Sequence, residues 1–219
     1  MKRYALLVML LLSVSARADD ADNDVFKHPA TGQALLKTVL EEPSGNLAHS
    51  QVLQGRFTHQ KFLSELPKPL TAAGEFTFAR DLGVYWHTEQ PFDSVFILTQ
   101  QGIVQRDEGA ETLRLSADEQ PAVRVIANIF LALFTLDIAT LDASFDLYGE
   151  KQNSRWSIGL KPKSSAIANV FKQAVVSGGK DVDQIVLTDK HDDRTVIDLQ
   201  AVTHMSDAPS AAVRALFKR

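Results

Sequence analysis

The chain has 219 residues, 45% of them hydrophobic, which suits one domain of ordinary size with a sizeable core and argues against global disorder. Its formal net charge is -4, so it has no basic surplus to neutralise phosphates; this argues against a nucleic-acid binder and disfavours stable adhesion to anionic lipid. There is no cysteine, which removes disulfides, thiolate nucleophiles, cysteine-ligated metals and lipid attachment at an N-terminal cysteine.

Residues 1–18 have the layout of a cleaved secretory signal. Lys2 and Arg3 supply positive charge, Tyr4 to Leu12 a short apolar run, and Ala16-Arg17-Ala18 a small-x-small cleavage site. The apolar run is too short to span a bilayer. The expectation is an exported, soluble, unanchored protein whose residues 19–219 form a single domain. Asp19 to Thr31 is polar and is expected to be loose. A helix is predicted over Gly32–Glu42, with Leu35, Leu36, Val39 and Leu40 on one face and Pro43 as its stop.

Strands follow in quick succession. The patterns predict them at Leu53–Phe62, Leu70–Arg80, Val84–Thr88, Ser94–Thr99, Ile103–Asp107 and Thr112–Leu115, joined by short turns such as Asp81-Leu82-Gly83 and Gln101-Gly102. Strands this frequent with no intervening helix make one antiparallel meander. Phe76, Phe78 and Arg80 share strand parity, so an arginine points the same way as two phenylalanines. A buried arginine without partners costs several kcal/mol or more, so Arg80 requires acceptors.

Pro121 to Leu136 breaks the pattern. Ile126, Ile129, Phe130, Leu133 and Phe134 form a helical stripe, widened by Val123, Val125 and Leu131, and only Arg124, Asn128 and Thr135 within Val123–Leu136 are polar. Leu136 to Leu141 adds a short second turn. Strands return at Ser144–Tyr148, Arg155–Pro162, Lys172–Val176, Asp183–Thr188 and Thr195–Leu199, with Gly178-Gly179 a hairpin turn. Lys163 to Phe171 is ambiguous between loop and short helix. Ser210–Arg219 reads as a closing helix capped by Ser210. The fold class is therefore mainly β with helices (α+β): a curved antiparallel sheet, an incomplete barrel, under a helical lid.

Motifs for chemistry are missing. The histidines are dispersed and make no HxxxH or HExxH pair, so no metal site and no metal or other cofactor is indicated. There is no GxSxG elbow, and Gly178-Gly179-Lys180 lacks the spacing of a phosphate loop. The chain is read as no enzyme. What stands out is surplus apolar surface. It either packs as a solid core, the more frequent outcome for aromatic stripes, or lines a cavity beneath a lid.

The run RFTHQK, then GEFTFARDLGVYWHTEQPF, then a strand and a glycine turn resembles the N-terminal half of the LolA family, periplasmic carriers that shuttle outer-membrane lipoproteins between the two membranes of Gram-negative bacteria. Phe57-Thr58, Gly74 with its following aromatics, Arg80, Trp86 and Gln90-Pro91 carry the likeness over Leu53–Asp107; it extends loosely through the helical insert, Trp156–Pro162 and the last hairpin. Asp81 stands where the family pattern has proline, and the C-terminus is shortened to AAVRALFKR, so the resemblance is to a divergent member.

The resemblance implies an incomplete barrel whose apolar cavity takes the acyl chains of a lipoprotein or other lipidated cargo. It implies Phe57, Phe76, Phe78, Trp86, Phe96 and Leu98 as cavity residues and Ile126, Ile129, Phe130, Leu133 and Phe134 as the lid helix. Arg80 would be the latch that donates to carbonyls of the lid helix over Pro121–Leu136. An inner-membrane donor complex and an outer-membrane acceptor are the expected partners, with no nucleic acid, no cofactor and a monomeric, periplasmic carrier. A lipid- or protein-sensing module that does not transfer cargo is the alternative on the same scaffold, and an exported hydrolase with dispersed acidic residues a third.

Overall fold

The computed structural model describes residues 25–41, 47, 49–169 and 171–218. The expected signal at residues 1–18 and the expected helix stop at Pro43 lie outside the described residues. Twelve strands form one antiparallel sheet: β1 (Pro29–Ala30), β2 (Val52–Phe62), β3 (Leu70–Ala79), β4 (Gly83–Gln90), β5 (Ser94–Thr99), β6 (Gly102–Asp107), β7 (Ala110–Ser116), β8 (Phe145–Gln152), β9 (Arg155–Pro162), β10 (Gln173–Gly178), β11 (Val182–Thr188) and β12 (Arg194–Met205). Their order is β1-β8-β9-β10-β11-β12-β2-β3-β4-β5-β6-β7, so the sheet does not close and ends on β1 and β7. This is the incomplete barrel that the strand spacing and the resemblance lead one to expect.

Most strands lie within two residues of their predicted bounds. The exceptions have local causes. β8 continues four residues further, through Gly149 to Gln152, paired throughout with β9. β12 passes Leu199 and runs to Met205 because a bulge at Ala201, whose φ is 51°, resets its register against β2 between Gln200 and Thr203.

Side-chain alternation sorts the sheet into two faces. Phe57, Phe76, Phe78, Val84, Leu98, Ile158, Leu160, Val176 and Leu199 point into the main core on the concave side. On the convex side Val52, Ala79, Ile97 and Val104 are covered by Val213 and Phe217 at the C-terminal helix, α5 (Ala211–Leu216). The serine expected to cap that helix does so: Ser210 Oγ accepts the Val213 N–H at 3.2 Å. Val175, Val186 and Val196 are covered by Val25 and Phe26. The stretch expected to be loose is thus docked from Val25 onward, where a 3₁₀ turn at Val25–Lys27 buries Val25 completely and β1 pairs with β8.

Helices occupy the concave side. α1 (Gly32–Thr38) starts at Thr31, whose hydroxyl accepts the Ala34 N–H, and ends earlier than the predicted Glu42. Its Leu35 sits on β8 at Gly149; a Cβ there would come within 2.0 Å of Leu35 Cδ2, so the bare glycine admits the helix. α2 (Pro121–Thr135) has proline in its first turn, where a missing N–H does no harm. It stops at Leu136, which takes the left-handed conformation (φ 47°) usually reserved for glycine. Asp137 then caps α3 (Ile138–Ser144) through the Thr140 N–H at 3.2 Å. The ambiguous stretch after β9 contains a four-residue helix, α4 (Ser165–Ala168).

Candidate functional site

Arg80 follows β3 directly. Because Val52 of β2 pairs with Ala79 of β3, residue 80 lands beside the stretch that leads into β2, and its backbone N–H donates to Gln51 O at 3.0 Å. The guanidinium continues in the same direction. Nε donates to Ser50 O at 3.2 Å and an Nη to Leu47 O at 2.7 Å. The carbonyl acceptors expected for this arginine are present, but they belong to the strap before β2 and not to α2. Strand register decides this: it sets residue 80 beside Gln51, while α2 meets the end of β3 through the Phe134 ring on Phe78.

The same strap is held from its other side. Ser50 Oγ lies 2.7 Å from His204 Nδ1 on β12, and His204 Nε2 lies 2.9 Å from Asp181 Oδ1 in the turn between β10 and β11. Leu47 is buried, and with Phe76, Phe134, Asp181 and Val182 it surrounds a void of about 20 Å³. Leu47 is thus packed into the main core, and Arg80 and His204 hold the strap that carries it.

Above it, the predicted cavity aromatics are packed solid. Phe57, Phe76, Phe78 and Leu98 are buried, and half-buried Trp86 and Phe96 lie against the same core. Phe57 stacks on Trp86 with centroids 3.9 Å apart; Phe76 and Phe78 meet Phe134 of α2 at 5.8 and 5.6 Å. The residues expected to line a cavity on β2–β5 enclose none in this form: α2 lies against that half of the sheet and Phe134 packs on Phe76 and Phe78. Gly55 contributes by absence, since a Cβ there would come within 2.8 Å of the Phe76 ring.

The opening is on the other half. Between α2 and β9–β12 lies a cavity of about 440 Å³, within the range of small-molecule pockets. Its roof is Val125, Ile129, Phe130, Leu133 and Phe134; its floor is Leu160, Ala174, Ile185, Leu187 and Ile197, with Ile167 and Phe171 as a side wall. The expected lid residues Ile129, Phe130, Leu133 and Phe134 all line it, while the side chain of Ile126 lies outside the described residues. The floor residues are aliphatic side chains and an alanine where β2–β5 present rings to α2, which leaves the space open. Lys61, Ser164, Asp189 and Thr195 are its polar lining.

Sequence reading missed the floor. Ile185 and Leu187, and Thr195 and Ile197, have the right alternation, but nothing in a single strand says which half of a curved sheet a helix will cover. The ambiguity of Lys163 to Phe171 hid Ile167 and Phe171. Beside the cavity His59 pairs with Ile197 and so faces the same side; its Nε2 is enclosed without a hydrogen-bond partner. Burial first, and the charge of Lys61 second, lower its pKa.

Among the described residues no helix is long and apolar enough to cross a membrane. No curated protein matches the chain significantly. Among solved structures, a LolA superfamily protein from Nitrosomonas europaea is 10% identical with a TM-score of 0.47, over 87% of this chain and 98% of that one. A DUF1329 family protein from Desulfovibrio piger is 13% identical with a TM-score of 0.41, over 83% and 98%. The family model for the outer membrane lipoprotein carrier protein LolA matches residues 48–214, from the strap to the C-terminal helix. The chain belongs to the LolA family.

Proposed function

We propose that this protein is a periplasmic carrier that shelters the acyl part of a lipoprotein or other lipidated cargo in the cavity under α2 and moves it towards the outer membrane. The observation that carries this reading is the apolar, lidded cavity between α2 and β9–β12. Family membership supports a carrier role related to lipoprotein binding or sorting. Burying a methylene is worth about 0.8 kcal/mol, so a single long chain supplies enough free energy to hold cargo against water without any covalent step. Arg80 acts as the latch of the empty state by holding Leu47 in place, and cargo too large for the cavity displaces the packed lid. Export by the N-terminal segment places the protein in the periplasm, where donor and acceptor complexes at the two membranes would meet it.

The test is to express the protein with its leader and identify what copurifies, by native mass spectrometry and lipid extraction. A bound acyl species is expected, with uptake of a fluorescent acyl probe by the stripped protein. A protein that is always empty and takes up no probe would overturn the reading. A stable complex with a membrane-protein domain, formed without transfer of cargo, would favour a sensing module instead.

A further inference from the structure

The cavity has a charged edge. Lys61 lies near the end of β2, and its partner Thr195 near the start of β12. With Val125, which is exposed on α2, and Asp189 beyond the end of β11, they place the mouth at this edge of the sheet. Lys61 is half-buried and lines the cavity; a lysine so placed lays its stem along apolar wall and keeps its ammonium towards water. The Lys61 ammonium makes no ion pair and no hydrogen bond among the described residues, while its backbone is paired with Thr195 and Leu70 in the sheet. Asp189 forms no ion pair with it; Asp189 Oδ1 instead accepts the His191 and Asp193 N–H groups at 2.7 and 3.1 Å. On the concave side next to Lys61 the titratable neighbour is His59, which brings no negative charge, and its enclosed Nε2 is an unfilled hydrogen-bonding group. Ser164 is occupied as well, its hydroxyl accepting the Ile167 N–H at 3.4 Å.

Size narrows the ligand further. At about 30 Å³ for a water-sized group, a methylene included, a cavity of about 440 Å³ holds roughly fifteen such groups. That is one long acyl chain, not several side by side.

We propose that the cavity in this closed form takes a single acyl chain bearing an anionic head, with the chain under α2 and the head, a carboxylate or a phosphate, at the Lys61 ammonium. The assignment rests on the acyl-carrier reading and specifies the ligand for it. An unpaired cation at the mouth of an apolar slot selects an amphiphile whose charge sits where its chain ends, and a charge-assisted contact there is stronger than one to a neutral hydroxyl.

Titration calorimetry on the stripped full-length protein, with ligands kept below their critical micelle concentrations at pH 8, tests this. The probes share one chain: palmitate, 1-palmitoyl lysophosphatidic acid and uncharged 1-monopalmitoylglycerol. At least one of the two anions is expected to bind about tenfold more tightly than the neutral probe, and which one does so identifies the head as carboxylate or phosphate. Lys61→Met should remove the preference, with unchanged far-ultraviolet circular dichroism showing an intact fold; Lys61→Arg should keep the preference. Equal binding of all three probes, or a preference that survives Lys61→Met, overturns the anion assignment and leaves the acyl reading standing. Failure of every probe, the neutral one included, overturns both.

Discussion

Arg80 has two guanidinium bonds to carbonyls, and their effect depends on what those carbonyls belong to. They hold the strap that carries the buried Leu47; on the latch reading proposed above, the arginine stabilises the closed, empty form. Hydrogen bonds from a charged donor contribute about 1.5–3 kcal/mol each. Arg80→Leu therefore destabilises the empty form relative to the loaded one, and by linkage cargo is held more tightly. Transfer of a fluorescent acyl probe to acceptor vesicles should slow by about tenfold for each 1.4 kcal/mol lost, with uptake much less affected; unchanged transfer would remove the latch role. At His59 the physics runs through protonation. Burial and Lys61 lower its pKa below the ordinary value of 6.5, so the unfolded chain takes up this proton first as pH falls. Stability from this group is intact above pH 6.5 and is lost as pH drops through the folded-state pKa. Urea midpoints at pH 7.5 and pH 5.5 should show the loss, and His59→Gln should reduce it.

At the scale of elements, α2 does two jobs with one stripe. Its Phe134 closes the aromatic half of the sheet, and Ile129, Phe130 and Leu133 roof the open half. The stripe was plain in the sequence, as were most strands and the cap at Ser210, because each depends on residues a few positions apart. The stop at Leu136 was not, since leucine in a left-handed conformation is chosen by the packing of α2 against α3 and not by local preference. The floor of the cavity offers the cleanest element-level variant. Ile185→Trp places a large ring in the opening while keeping an apolar residue at a strand position. Acyl-probe affinity should fall at least tenfold with far-ultraviolet circular dichroism unchanged; full retained affinity would move the site elsewhere.

For the molecule as a whole, loading and stability are the same equilibrium seen from two sides. A ligand that binds only the folded chain adds about 2.7 kcal/mol at a hundredfold excess over Kd. Saturation with the tightest single-chain amphiphile should raise the thermal midpoint by several degrees. It should also change amide exchange in α2 and at Leu47, and leave β3–β6 as protected as before. A uniform change across all strands would mean that the sheet, not the lid, rearranges.

The succession of short strands, the one apolar helix, the absence of chemical motifs and the arginine in need of acceptors were determined by the sequence alone, because periodicity, turn chemistry and the penalty for an unpaired charge act locally. Which carbonyls Arg80 binds, which half of the sheet α2 fills and which half it leaves open, and that Lys61 lines the cavity were decided only in the tertiary structure. Those outcomes depend on strand register and on competition between distant surfaces for one helix. The rings of β2–β5 won that competition, and the cavity is what remained over β9–β12.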